Sequence, residues 1–241
     1  MFKLFFKLIL VLVIVVILTA GYLGFVPGLS TIMGADKPKD LGITYTQDDF
    51  QNMTAKSGIT RQTLPESTDL IQSAQYEGTH ELKITYSGQD LTALVNETKW
   101  KYNPFSNVQI RINQDGTTEI SGNINLEKLW DYVGTNGVST SDIEQAKKAL
   151  AAIPSQPAFY AKGVTEGADN KVSKLNIESL SIGRLSVPSN IIHTNQHYLA
   201  EIADKEMSSI PGFYAKSVKA ENGEVKFEGS IPDVELIVIG E

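Results

Sequence analysis

The sequence predicts an α+β fold in which helices pack on one face of an antiparallel sheet, for two reasons. The segment PAFYAKGV at residues 157–164 recurs as PGFYAKSV at residues 211–218, and each copy follows a helical hydrophobic period. An earlier predicted helix is likewise followed by a hairpin. Units of one helix and two strands favour an antiparallel sheet that is covered by helices on one side.

The chain begins with an apolar stretch that predicts a membrane anchor. Residues 8–26 contain no charged side chain, and a helix of this length spans roughly 28 Å, close to the hydrocarbon core of a bilayer. Lys3 and Lys7 precede the stretch, so the N-terminus is expected on the cytoplasmic side. We therefore expect a cytoplasmic N-terminus over residues 1–7, a single-pass transmembrane anchor over residues 8–26, a juxtamembrane linker over residues 27–40 and an extracytoplasmic domain over residues 41–241.

A cleaved secretory signal peptide is the competing interpretation of this stretch. The small residues Thr19 and Ala20 favour cleavage, whereas Leu18 fits poorly three positions before the cut. The apolar run also exceeds the usual length of about 7 to 15 residues for a signal peptide. Both interpretations export the domain, and the anchor keeps it at the cell membrane.

Local signals place the first elements of the domain. Thr46 and Asp49 form a T-x-x-D start for a short helix, and Ser87 and Asp90 form the same start for a second helix. The segment 61–68 between them is polar and contains a proline, so it is predicted to be a loop.

The turn Asn222-Gly223 predicts the register of the last hairpin. This dipeptide suits a two-residue type I′ turn, in which the numbers of paired residues sum to 445. That register places Tyr214 on the same largely apolar face as Val218.

Two further hairpins are predicted from their hydrophobic patterns. A three-residue loop at residues 114–116, with Gly116 in the left-handed conformation, pairs Ile110 with Ile120. In the middle hairpin the apolar alternation shifts phase at Leu180 and Ile182, which indicates a bulge or two short strands.

The composition restricts the classes of partner. Residues 41–241 hold 17 basic and 26 acidic residues, a net charge of −9, so a basic surface for nucleic acid is not expected. The absence of cysteine excludes disulfides and thiolate metal sites. The sequence has no catalytic motif and no cofactor fingerprint, so we expect a non-enzymatic protein without a cofactor.

His193, His197 and Glu201 are the only residues with a spacing that suggests a metal site. They recur every four residues and would share one helical face. This face lies opposite Leu199, whose side of the helix is expected to be buried. We therefore expect the two histidines to be exposed and predict no metal site.

Aromatic residues are the candidate ligand-binding side chains. Neighbouring residues of a strand point to opposite faces, so each Phe-Tyr pair sends one ring towards the uncovered side of the sheet. The segment KWKYNPF adds further rings before a strand. The alternative is that these rings fill an ordinary core. The candidates are Trp100, Tyr102, Phe105, Phe159, Tyr160, Phe213 and Tyr214.

Three segments carry a resemblance to other proteins. They are GFVPGLSTIMGADKPKDLGITYTQDDF, DLTALVNETKWKYNPFSNVQIRINQDGTTEISG and the FYAK pair. On these segments, nearly the whole chain resembles an uncharacterised family of single-pass, membrane-anchored envelope proteins of bacteria. More weakly, the order of DLTALVN, a hairpin and IGRLSVPSNII is similar to extracytoplasmic proteins with tubular lipid-binding folds. This second similarity implies an elongated apolar groove for acyl chains and assigns no ligand-contacting residue.

These observations lead to a functional expectation. The protein is expected to be a membrane-tethered extracytoplasmic binding module for lipid or another apolar envelope component. The alternative is a structural or assembly protein that binds another envelope protein. A hydrolase of envelope polymers would need two carboxylates that face each other across a pocket, and the sequence does not locate such a pair.

Overall fold

The computed structural model of the protein describes residues 34–135, 140–149 and 155–240. The predicted cytoplasmic N-terminus and anchor, residues 1–26, lie outside this part of the chain. Among the helices in the described part, none is long and apolar enough to cross a bilayer.

The described residues fold as α+β, as predicted. The helices are α1 (Gln47–Ser57), α2 (Gly88–Glu97), α3 (Leu126–Thr135), α4 (Thr140–Ala149) and α5 (Ser189–Ser209), with a 3-10 turn at Leu70–Gln72. The strands are β1 (Thr60–Thr63), β2 (Ala74–Glu77), β3 (His80–Ser87), β4 (Phe105–Ile112), β5 (Thr118–Ile124), β6 (Ala158–Ala168), β7 (Lys171–Ile182), β8 (Leu185–Ser186), β9 (Tyr214–Glu221), β10 (Glu224–Ile231) and β11 (Val234–Ile237).

The larger sheet is antiparallel and is organised around β6. Along one edge β6 pairs with β7. Along its other edge, the first half of β6 pairs with β5 of the β4–β5 hairpin, and its last residues pair with β9. Strand β9 continues the sheet through β10 to β3. The two strands that carry the repeated segment are therefore neighbours.

The predicted helix starts are confirmed. The Thr46 side chain accepts a hydrogen bond from the Asp49 backbone N–H, and the Asp49 carboxylate accepts one from the Thr46 N–H at 2.7 Å. Ser87 and Asp90 form the same reciprocal pair at the start of α2. These caps satisfy backbone donors that have no partner within the helix.

The β9–β10 hairpin confirms the predicted register near its turn and departs from it further away. Pairs with the expected sum extend from Glu224 to Glu228, after which a bulge shifts the register and Ala215 pairs with Gly229. The bulge reverses the faces of the first residues of β9. Tyr214, which was predicted on the apolar face, is consequently 43% exposed, and Ala215 is fully buried instead.

The other two hairpins agree with their predictions. Ile110 pairs with Ile120, and Gly116 has a φ angle of 82° in the loop. In the β6–β7 hairpin the register shifts between Ile177 and Ser179, where the phase of the apolar pattern changes.

The prediction of a loop over residues 61–68 is wrong at its beginning. Residues Thr60–Thr63 form β1, which pairs in parallel with β11 in a second sheet of order β1-β11-β2. Strand β1 is a polar edge strand, so it lacks the alternating apolar pattern by which strands are recognised. An ion pair between Arg61 and Glu235, 2.7 Å between Nε and Oε2, links it to β11.

Helix α2 covers both the inner face and the free edge of β4. Val108, Ile110 and Ile112 pack under it as one hydrophobic cluster. At the edge, Asn96 accepts a hydrogen bond from the Val108 N–H at 3.0 Å and donates one to the Val108 carbonyl at 2.8 Å. Thr92 accepts a hydrogen bond from the Ile110 N–H at 2.9 Å. These two side chains replace the neighbouring strand that β4 lacks on this edge.

The outer face of the same hairpin is covered by residues 34–43, which we name the docked segment. Ala35 and Leu41 are both only 3% exposed. Gln109 of β4 accepts a hydrogen bond from the Leu41 N–H at 2.8 Å, and Asn123 of β5 donates one to the Asp36 carbonyl at 2.7 Å. The part of the predicted linker that the structure describes, from Gly34 onward, therefore lies against the domain.

Candidate functional site

Helix α5 contacts the rest of the domain through a face that is rotated around the helix axis from the one predicted. Ile192 is buried, Met207 packs against the core around Phe227, and Asp204 accepts a hydrogen bond from the Val172 N–H at 2.6 Å. Leu199, which was predicted to be buried, is 49% exposed. The sequence misleads here because two faces of this helix carry apolar residues.

The second apolar face of α5 is open to solvent. We name it the α5 stripe, and its residues recur with the spacing of a single helical face. Four side chains form the stripe, and each is about half exposed, whereas apolar residues on a core-facing helix surface are mostly buried. They are Ile191, Tyr198, Leu199 and Ile202.

The histidines of α5 are exposed, as expected. In the described part of the chain, no group of three or more histidine, aspartate and glutamate residues is arranged to hold a metal ion.

Four of the seven candidate aromatic residues form two separate pairs. Trp100 and Tyr102 meet edge to face with their ring centroids 5.9 Å apart. Phe105 and Phe159 meet in the same manner at 5.7 Å. Each pair gains the favourable contact of a ring edge with a ring face.

The other three candidates have different surroundings. Phe213 packs on Phe227 in the core, with centroids 5.9 Å apart. The Tyr160 hydroxyl donates to the buried Glu119 at 2.7 Å, and the ring lies under the docked segment. The Tyr214 hydroxyl donates to Asp169 at 3.1 Å. The seven rings thus lie in several different environments, and Trp100 alone among them borders the largest cleft described here.

This cleft, which we name the aromatic cleft, lies between the small sheet, α3 and the C-terminal end of α5. Its volume of about 610 Å³ is within the range of ligand sites in proteins. Its lining combines aromatic rings with carboxylates and amides. The residues used below are Tyr76, Trp100, Tyr132, Glu206 and Glu235.

Trp100 is held in a fixed orientation. Its indole N–H donates to Ser73 Oγ at 3.0 Å, and its backbone forms an antiparallel bridge with Ile239. The ring of Tyr132 stands nearly perpendicular to it, at 80° and with the centroids 6.0 Å apart. The two rings form a preorganised aromatic corner.

The two carboxylates of the cleft differ in their partners. Glu235 is neutralised by Arg61, and the side chains of both are less than one fifth exposed. Glu206, by contrast, makes no side-chain hydrogen bond or ion pair within the described part of the protein. The cleft therefore carries one uncompensated negative charge.

Tyr76 is affected by this negative charge. Burial raises the pKa of its hydroxyl, and the nearby carboxylates of Glu235 and Glu206 raise it further, to about 12. Negative charges oppose the formation of a phenolate. The hydroxyl consequently remains protonated at any physiological pH.

A buried charge network connects the docked segment to the sheet. Glu119, only 5% exposed, accepts hydrogen bonds from Arg111, Asn113 and Tyr160. Burial raises the pKa of this carboxyl, but these hydrogen bonds and the charge of Arg111 outweigh burial and lower the pKa to about 2. Lys39 of the docked segment lies 3.5 Å from the same carboxylate.

His80 forms a second polar link, between the end of α1 and the turn before β11. Its Nδ1 lies 2.7 Å from an Asp233 carboxylate oxygen and its Nε2 lies 2.9 Å from the Ser57 carbonyl. Both partners only accept hydrogen bonds, so both nitrogens must donate, which requires the imidazolium. The hydrogen bond to Ser57 and then that to Asp233 raise the pKa of His80 above its usual 6.5.

The His80 link predicts a stability contribution that falls as the pH rises. The contribution is complete below pH 6.5 and disappears as the pH passes through the raised pKa. Because the side chain is partly exposed, His80→Gln should cost about 1 kcal/mol or less near pH 6 and much less at pH 9. Urea unfolding of both proteins at the two pH values measures this; an equal difference at both would contradict a charged His80.

The aromatic cleft as a whole has no recognisable signal in the sequence. Its lining comes from segments far apart in the chain, and only Trp100 was a candidate.

Comparison of the chain with protein-family models, with curated proteins and with solved structures found no match.

Proposed function

We propose that the protein is a membrane-tethered, extracytoplasmic and non-enzymatic module that binds another envelope protein through the α5 stripe. The observation that carries this proposal is the exposure of four large apolar side chains on one helical face, all of them 49–55% exposed. Contiguous exposed apolar surface with a polar border is typical of interaction sites. An amphipathic helix face is a common element of protein recognition.

The charge of the protein favours a protein partner over a lipid surface. The whole chain has a net charge of −7, and Glu206 lies one turn after Ile202 on the same helical face. Anionic lipid headgroups would be repelled by this negative charge. A protein segment that alternates apolar and basic residues would be complementary to the same surface.

The proposed anchor would hold this surface near the membrane. Residue 34 already lies against the β4–β5 hairpin. The seven residues between 26 and Gly34 can extend at most about 25 Å. A partner in the same membrane layer would therefore meet the module at a high effective concentration.

Co-purification of the full-length chain from membranes tests the proposal. Leu199→Ser combined with Ile202→Ser removes two apolar side chains, each contributing about 1.5–3 kcal/mol when buried. We expect at least a tenfold loss of the captured partner. The matched control, His193→Ser with His197→Ser on the opposite side of α5, should capture the partner as well as the unaltered chain does.

Stability and lipid content complete this experiment. All four substituted residues are exposed, so both double variants should remain folded under the conditions of the capture experiment. Native mass spectrometry of the same samples reports bound lipid. If the amount of bound phospholipid depends on the α5 stripe while no captured protein does, the proposal is overturned in favour of lipid binding. Equal protein capture by both double variants would also overturn it.

A further inference from the structure

The aromatic cleft continues the α5 stripe. Glu206 follows Ile202 by four residues, so the two side chains lie one turn apart on the same helical face. Glu206, Ser209 and Ile210 line the cleft. A partner segment that lies along the stripe therefore reaches the cleft at the end of the helix.

The aromatic walls favour a cation. Trp100 and Tyr132 both line the cleft and stand almost perpendicular to each other, at 80° and with their ring centroids 6.0 Å apart. The face of an aromatic ring is electron-rich and attracts an ammonium or guanidinium group, most strongly when the ring is tryptophan. The hydrogen bond from Trp100 to Ser73 fixes this face before any ligand arrives.

The carboxylates favour a cation for an independent reason. Glu235 has a counter-ion in Arg61, whereas Glu206 has none among the described residues. The pKa of the Tyr76 hydroxyl is raised first by burial and then further by the charges of Glu235 and Glu206, so both carboxylates act on the same part of the cleft. An anionic or purely apolar ligand would leave the Glu206 charge without a partner as the cleft lost water, which is costly.

We propose that the aromatic cleft binds the ammonium group of a lysine side chain carried by the partner segment on the α5 stripe. This inference rests on the function proposed above. The lysine stem packs against Trp100 and Tyr132, and its ammonium group pairs with Glu206. A long apolar stem with a charged end matches a cleft of this composition.

Fluorine NMR of the full-length chain in uncharged maltoside micelles tests the inference. The chain contains two tryptophans, Trp100 and Trp130, and 5-fluorotryptophan gives one signal for each. Trp130→Phe assigns them. We expect Nα-acetyl-lysine methylamide to shift the Trp100 signal saturably at constant ionic strength. The Nε-acetylated form of this probe has the same stem without the charge and should not shift it.

Two glutamate variants on the same helix provide the matched comparison. Glu206→Gln should weaken the response to the lysine probe at least tenfold, while Glu201→Gln, an equal charge change at an exposed position outside the cleft, should leave it unchanged. Neither change should alter the unfolding midpoint. A response that is unaffected by Glu206→Gln, or that is equal for the neutral probe, would overturn the inference.

A lipid source of the ammonium group is distinguished by a further probe. Glycerophosphoethanolamine carries a primary ammonium next to a phosphate. If it shifts the Trp100 signal and the lysine probe does not, the inference is overturned in favour of a lipid headgroup. If the lysine probe fails while partner capture still depends on Leu199 and Ile202, the inference fails and the proposed function stands.

Discussion

Acidification from pH 6 to pH 2 is expected to remove about 3 kcal/mol of unfolding free energy through Glu119 alone. The pKa of this carboxyl is about 2 in the folded protein against 4.5 for an ordinary glutamate. A lowered pKa contributes stability that is complete above pH 4.5 and is lost as the pH falls towards 2. The Glu119→Gln variant should therefore be about 3 kcal/mol less stable than the original at pH 6 and nearly equal to it at pH 2.

Urea unfolding at several pH values between 2 and 6 measures this difference. Glu201→Gln serves as the control, because it removes an exposed carboxylate. Its difference in unfolding free energy from the original chain should not change comparably as the pH falls. The same loss should release the docked segment, since Lys39 and Tyr160 both lie against Glu119. A constant gap between Glu119→Gln and the original chain at all pH values would contradict the network as described.

Asn96→Ala is expected to destabilise the domain by about 2–4 kcal/mol. The substitution leaves the N–H and the carbonyl of the buried Val108 without partners, and each unsatisfied buried group costs about 1–3 kcal/mol. The Val108 amide should also exchange with solvent much faster. Urea unfolding and amide hydrogen exchange provide the two measurements.

Asn195→Ala is the matched control for this edge. Asn195 lies on α5, is exposed and donates only to the Ile191 carbonyl of its own helix. Its loss should change the unfolding free energy by less than about 0.5 kcal/mol. An equally small effect of Asn96→Ala would mean that water forms the hydrogen bonds of the backbone groups at the edge of β4. The side chains of α2 would then not be needed to cover this edge.

The local features of the fold were the ones that the sequence could predict. A cap depends on residues three positions apart, such as Thr46 and Asp49, and a tight turn depends on two, Asn222 and Gly223. These interactions are short-range, so they are present in the local sequence. The pairing of β10 with β9 near the turn therefore follows directly from the Asn222-Gly223 dipeptide.

The errors arose where distant residues decide the structure. The bulge opposite Gly229 reverses the faces of the first residues of β9. It brings the Tyr214 carbonyl so close to Gly229 that a side chain at this position would collide with it. Strand β1 exists because β11, some 170 residues later, lies beside it. Neither cause is visible in a window of ten residues.

The functional surface was hidden for a related reason. Helix α5 has two apolar faces, and the hydrophobic period does not say which of them the sheet will cover. The choice depends on contacts such as that of Asp204 with Val172 and of Met207 with the core. Because these contacts turn another side of the helix towards the sheet, Leu199 and Ile202 remain exposed to solvent.

Photo-crosslinking in living cells tests the central proposal most directly. A benzophenone amino acid is introduced in the full-length chain at Ile202 and, separately, at His193, which lies about 180° away around α5. We expect one discrete protein adduct for the reporter at Ile202 and none for that at His193. Equal protein adducts at both positions, or only lipid adducts at Ile202, would contradict it.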